Sequence, residues 1–336
     1  MTSELTSEYL GEGSYGCVVK PPIKCKNLVK LRKGNKNEKL VGKIFTSLNT
    51  FNKEIIANKN IIKIDPSAKK LLTAVSHCDV PIQNIKATNR AKNCEFIHNF
   101  KKQPFLYQLN MPYGGVTFKQ YFKYSKFNIY IILHSLINVF ETLILLENKK
   151  MCHQDIKPDN ILVKPTGESI LIDYSLIIPF NKIYTHQNRH RLKYSYYPYP
   201  PEYKIFEFVY FEKCYKYDYC NYIYNNYRLT SSTHSNINLI NKLFNSEDII
   251  KILEDKCKLM IQKDKANKLD KYMYKFVNRI DIYSVGMSLL KTIKYMYDYK
   301  NIHINSFISH LIHPDYEKRY NPKQALKHLK ILLNII

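Results

Sequence analysis

No CxxC pair occurs among the eight cysteines, and their scatter matches neither a metal finger nor a disulfide framework. Reduced, buried thiols in a cytosolic chain are the expectation. The opening MTSELTSEYL lacks a basic start and an apolar core, so it does not read as a secretory signal. Nor does any apolar run continue unbroken for membrane-spanning length. The longest, 128–146 (NIYIILHSLINVFETLILL), carries His134, Asn138 and Glu141 and fits a helix buried in a protein core. No membrane partner is expected. Internal repeats are missing as well. Arginine is scarce, at seven residues against 45 lysines, although 52 basic and 28 acidic residues leave a net charge of +24. That lysine bias, with abundant Asn, Ile and Tyr, reflects an A/T-rich coding sequence as readily as selection for nucleic-acid binding. The charge favours polyanions and acidic partners at low salt. With no aromatic–basic module present, nucleic acid is expected only through nonspecific charge.

What is present is enough to build on. A chain of 336 residues with 45 % apolar content can bury a sizeable core in one to three domains. EYLGEGSYGCVVK reads as strand–turn–strand, and LVGKIF as a further strand after a basic, proline-led insertion, PPIKCKNLVKLRKGNKNEK. Residues 50–60 read as a helix, and IIKIDPSAKKLLTAV as two strands about an Asp-Pro turn. Beyond PYGG (112–115) helices dominate. The 128–147 segment has Ile132, Leu136, Phe140 and Leu143 at helical spacing, and helices are expected over 282–296 and 321–333. Within 203–278, rich in Tyr, Asn and Lys, the second half looks helical and TSSTHSN (230–236) looks like a loop. The fold class expected is α+β, a small strand-rich N-terminal part and a larger helical C-terminal part.

Two stretches carry chemistry. Gly11-Glu12-Gly13-Ser14-Tyr15-Gly16-Cys17-Val18 fits GxGxxGxV, whose glycines let backbone N–H groups close over phosphate oxygens. A tight hairpin accounts for the same glycines, and the strand that follows argues against a dinucleotide fold. The second stretch is HQDIKPDN, in which His153, Asp155, Lys157 and Asn160 fit HxDxKxxN, with a strand at Ile161–Val163 and then Asp173 in ILIDYS. Taken in order with Pro200-Pro201-Glu202 and DIYSVG, these motifs resemble the eukaryotic-type Ser/Thr protein kinases over nearly the whole chain. The lysine-rich composition and CVVKPPIKC look like the divergent kinases of large DNA viruses.

The resemblance implies a bilobal kinase domain over 1–336, with an N-lobe at 1–111, a C-lobe at 112–336 and an atypical insertion at about 203–278. It implies ATP and Mg²⁺ as cofactors, protein substrates, acidic ones favoured by the charge, and a cytoplasmic site of action (host cytoplasm or virion for a viral enzyme). Asp155 would be the base, Lys157 would hold the transferring phosphate, and Asn160 and Asp173 would bind the metal. Gly11 to Gly16 would cover the phosphates. Val18, Val41 and Leu162 would enclose the base, and Asn110 or Met111 would lie near the gatekeeper. The ATP lysine is Lys43, paired with Glu54, or else Lys30, because the insertion blurs the count. Glu202 with Arg319, and Asp281 against the catalytic loop, would be structural. Ser195 would contact the base and lysine of the loop.

Two departures stand out. Tyr174-Ser175 replaces the usual Phe-Gly, and Gln154 replaces the arginine that reads activation-segment phosphate. Activity without such phosphorylation is the expectation. A pseudokinase scaffold and a small-molecule phosphotransferase of related fold are the alternatives. His186 and His190 have metal-like spacing but no third ligand in sequence.

Overall fold

The computed structural model describes residues 8–13, 16–34, 38–88, 91, 93–95, 103–123, 129–190, 198–215, 240, 243–293 and 301–336. The chain divides into two compact units, 1–115 and 116–336. The division falls beyond the 111/112 boundary suggested by sequence because strand β6 runs to Pro112 and the Tyr113 N–H still donates to Lys39 O.

The first unit is an antiparallel sheet of β1 (Glu8–Gly13), β2 (Gly16–Lys20), β3 (Lys26–Lys30), β4 (Leu40–Phe45), β5 (Ser76–Pro81) and β6 (Phe105–Pro112), in the order β1-β2-β4-β6-β5-β3. Strand alternation explains how LVGKIF serves two layers. Ile44 joins Val19, Val80 and Leu106 on one face, while Phe45 joins Phe51, Ile55 and Leu109 on the other. Those partners on the second face come partly from helix α1 (Leu48–Ile64), started by the Ser47 hydroxyl accepting the Thr50 N–H; a short helix α2 (Ile82–Lys86) follows β5. Its buried residues Phe51, Glu54, Ile55, Asn58 and Ile61 recur at three- and four-residue intervals.

Two expectations fail in this unit. Residues 61–75 are not two strands, because α1 continues to Ile64 and the chain then loops. The cause is Asp65, whose carboxylate accepts the N–H groups of Lys70 and Leu71 and the Ser67 hydroxyl at 2.6–3.0 Å. Those bonds satisfy the backbone locally, where a strand would need a ladder. The basic insertion is the second surprise: it supplies β3 and thereby a sixth strand at the sheet edge.

The second unit opens with β7 (Val116–Thr117) and α3 (Phe118–Lys123), then α4 (Ile129–Ser135) and α5 (Ile137–Asn148). The expected helix is thus present but divided at Leu136. By length and composition the 129–148 span is apolar enough to cross a membrane; Val139, Phe140, Leu143 and Leu146 are buried, and α5 packs against a C-terminal helix. Short strands β8 (Met151–Cys152), β9 (Ile161–Val163), β10 (Ser169–Leu171) and β11 (Ile178–Pro179) frame the HQDIKPDN loop. Among the described residues six further α-helices follow: α6 (Pro201–Phe206), α7 (Ser246–Lys265), α8 (Leu269–Tyr274), α9 (Ile280–Ile293), α10 (Ile302–Leu311) and last α11 (Pro322–Leu333), which is the one against α5. Helix α9 is buried on nearly every side, as an apolar helix at a core should be. Asn321 and Gln324 close a capping box ahead of Pro322 at the first turn of α11. The helical second half of 203–278 is present as α7 and α8, whereas 230–236 and the end of the 282–296 helix lie outside the described residues.

Candidate active site

The candidate residues fall on both units. In the first, Gly11, Glu12 and Gly13 end β1 and Gly16 begins β2, so the glycine motif is the turn of a hairpin; Ser14 and Tyr15 lie outside the described residues. Gly16 has a steric reason of its own. A Cβ there would collide with the Ile44 carbonyl of β4, so the hairpin packs this closely only with glycine. Val18 on β2 pairs in register with Lys43 on β4, and Val41 lies two residues back on the same strand face as Lys43.

Lys43 Nζ donates to Glu54 Oε1 at 2.9 Å, with both side chains largely buried. The alternative, Lys30, lies on the exposed edge strand β3. The short interval between Lys43 and Glu54 is accommodated because α1 begins only three residues after β4 ends. Asn110, on β6, is tied into a buried polar chain: it donates to Ser76 Oγ at 3.0 Å and accepts from Gln108 at 2.9 Å. Met111 pairs with Val41 across β4 and β6.

In the second unit HQDIKPDN is a loop between β8 and β9, closed from behind by one carboxylate. Asp281 on α9 accepts the His153 N–H at 2.7 Å and the Gln154 N–H at 3.0 Å. Gln154 there has φ +64°, a left-handed conformation that costs roughly 1–2 kcal/mol for a non-glycine residue, and the two bonds from Asp281 hold it. The consequence lies ahead of the turn. Asp155 is buried, its Oδ2 accepting from Lys157 Nζ at 3.0 Å and from Asn160 Nδ2 at 2.7 Å. Carboxylate, cation and amide therefore form one hydrogen-bonded cluster. The Ile172 N–H donates to Asn160 O at 3.0 Å, which ties the loop to the chain just before Asp173. Leu162 stands between on β9.

Asp173 also has a left-handed φ, +65°. Ser175 donates its hydroxyl to Asp173 Oδ1 at 2.8 Å, so the serine that replaces glycine orients the carboxylate. Sequence reading missed this role, though an acidic residue two positions before serine is a known local hydrogen-bonding pattern. Tyr174 is buried, as its aromatic predecessor would be, its hydroxyl donating to Leu171 O at 2.6 Å and its ring meeting His153 edge-on.

Gln154 has partners that sequence could not supply. Its Oε1 accepts from Asn188 Nδ2 at 3.1 Å and from the Tyr203 hydroxyl at 3.3 Å, and its Nε2 donates to Leu176 O at 3.4 Å. Asn188 also donates to Ile183 O at 3.0 Å. Gln154 and Asn188 are fully buried, and so is Tyr203. A neutral network thus joins the loop to three points of 176–203. Further back, Arg319 makes a bidentate pair with Glu202 at 2.6 and 3.0 Å, both side chains fully buried, as expected. Ser195 lies outside the described residues.

The thiol expectation is overturned. Cys17 is disulfide-bonded to Cys94 and Cys25 to Cys78, and Cys257 is also disulfide-bonded; Cys214 is free. The sequence concealed the pairs because the tertiary fold brings together residues 77 and 53 positions apart. The thiol argument for a cytosolic chain no longer holds. Among the described residues the one grouping of three potential metal ligands is Glu12, Cys17 and Cys94, and its sulfurs are bonded to each other. His186 and His190 form no such group.

No protein-family model matches the chain, and no curated protein matches it. Motif order and local geometry are therefore what a functional reading rests on.

Proposed function

We propose that the chain is a Ser/Thr protein kinase that transfers the ATP γ-phosphate to a protein hydroxyl. The observation that carries this reading is the Asp155–Lys157–Asn160 cluster held on a turn that Asp281 clamps. Phosphoryl transfer asks mainly for positioning and charge neutralisation, and this cluster offers both. Asp155 accepts or orients the acceptor hydroxyl proton, and Lys157 meets the charge of the transferring phosphate. Asn160 spends its N–H groups on Asp155 and so turns an amide oxygen outward; with the Asp173 carboxylate it makes a hard oxygen donor set that suits Mg²⁺. In the first unit Lys43, fixed by Glu54, is the residue for the nucleotide phosphates, beneath the Gly11–Gly16 hairpin. Mg²⁺–ATP supplies the phosphoryl group; the chain supplies base, cation and alignment.

The neutral Gln154–Asn188–Tyr203 network supports activity without activation-segment phosphorylation. An arginine at position 154 would need an anion to offset its burial, whereas the amide is satisfied by neutral partners. The test is an assay with labelled ATP, Mg²⁺ and mixed protein acceptors, followed by phosphoamino-acid analysis. Phosphoserine and phosphothreonine are expected, and Asp155→Asn should lower the rate by about 10²–10⁴-fold with the fold intact. Phosphatase pretreatment should leave the rate unchanged. Phosphotyrosine alone, or no transfer by folded protein, would refute the reading.

A further inference from the structure

We propose that β3 is a docking strand for an acidic, extended segment of a partner protein. β3 is the last strand in the order, hydrogen-bonded to β5 on one side and to no strand on the other among the described residues. The Leu31 N–H donates to Val75 O at 2.8 Å, and antiparallel alternation then turns the N–H and C=O of Lys30 outward. The register shifts between Lys26 and Val29 and Asn27 has φ +54°, so the outward backbone open to an added strand lies at Lys30, beside the bulge.

The side chains say what kind of segment fits. All five residues of β3 are exposed, and two are apolar: Leu28 keeps 58 % and Val29 48 % of its surface in solvent. Around them the chain carries seven basic residues and no acidic one between Glu12 and Glu38. Lys24, Lys26, Lys30 and Lys33 are exposed, while Arg32 is occupied by Glu38. Asp79 on the adjacent strand is engaged by Asn27 at 3.0 Å. The edge therefore pairs backbone polarity with two apolar contacts and a cationic border. It is also preformed, because the Cys25–Cys78 disulfide and the Asn27–Asp79 bond fasten it to β5.

Other occupants fit less well. Nucleic acid would use the lysines but neither the strand edge nor Leu28 and Val29, and β3 has no aromatic residue on which a base could stack. A second copy would set lysine against lysine, which is how natural edges are kept from pairing with themselves. An extended segment of alternating acidic and apolar residues satisfies all three features. This proposal stands apart from the catalytic reading and needs no activity.

The test uses the full chain and a fluorescein-labelled peptide of about ten residues alternating glutamate and valine, long enough to cover the strand. Saturable anisotropy is expected, with slowed amide exchange at Lys30. Lys26→Glu with Lys30→Glu should weaken binding by about tenfold or more. Lys30→Pro removes an outward N–H without touching the bonds to β5, and should weaken binding about tenfold beyond Lys30→Ala, with melting unchanged. A peptide N-methylated at alternate residues, equal in charge, should bind about tenfold less tightly. No binding up to about 1 mM peptide would overturn the proposal. So would equal binding of the N-methylated peptide, equal competition by oligothymidylate, or self-association of the protein that Lys30→Pro abolishes.

Discussion

The two units draw on the same physical means in different proportion: each has a disulfide-bonded cysteine, and the first has its own buried polar chain at Gln108, Asn110 and Ser76. The first is a sheet with apolar layers on both faces, fastened covalently by Cys17–Cys94 and Cys25–Cys78. The second buries polar and charged groups and satisfies them against one another: Glu202 with Arg319, Asp281 with the loop backbone, Gln154 with Asn188 and Tyr203. A disulfide acts mainly on the unfolded chain, by restricting it. A buried ion pair acts on the folded chain, and it is worth most when one partner is taken away. The difference suits the tasks we assign. A phosphate-covering hairpin needs a firm base and little polarity, whereas a catalytic loop has to hold a base, a cation and an amide in one place.

The largest effect that would break this comparison comes from the ion pair. Glu202→Gln should destabilise the second unit by about 3–5 kcal/mol, because Arg319 is left buried without its counter-charge. Amide exchange resolved by segment should place the loss within 116–336; an equal loss in the first unit would erase the distinction. Next in size, Cys25→Ser with Cys78→Ser should cost about 2–4 kcal/mol, from closure of a long loop, and its exchange signature should be confined to 1–115. Urea unfolding of the double variant gives the magnitude.

The smallest effect is a pH slope carried in the second unit by His313; His77 in the first unit, also pushed down by burial, adds a slope of the same sign. Burial pushes His313 down to about 4; Arg319 and Lys318 act in the same direction and Asp315 opposes them. The folded chain keeps this histidine neutral while the unfolded chain protonates it near 6.5. The unfolded state therefore binds more protons between the two values. Stability from this group is whole above about 6.5 and is lost as pH falls towards about 4. Thermal melts from pH 7 to 4 should show that decline, and His313→Gln should flatten it.

Legibility in the sequence followed distance along the chain. HQDIKPDN was readable because its carboxylate, cation and amide lie within six residues and close on each other. The Lys43–Glu54 pair needed an elimination, and a sheet to reject Lys30 as an edge residue. The strands predicted over 61–75 failed because three hydrogen bonds to Asp65, all within six residues, outweighed β propensity. Ser175 was seen as a missing glycine; its hydroxyl bond to Asp173 appeared only with the left-handed turn in place.

The sequence by itself determined the alternation that makes a sheet in the first unit, the periodicity that makes helices in the second, and a loop dense with catalytic residue types. These are local properties, set by side-chain spacing against a backbone period. The tertiary structure alone decided which cysteines meet, that the basic insertion becomes an exposed edge strand, and that Asp281, 128 residues from His153, holds the HQDIKPDN loop. It also decided that a buried amide at 154 is satisfied by Asn188 and Tyr203 without any charge. Hydrogen bonds and disulfides depend on approach in space, and no single stretch of chain records which distant residue will arrive.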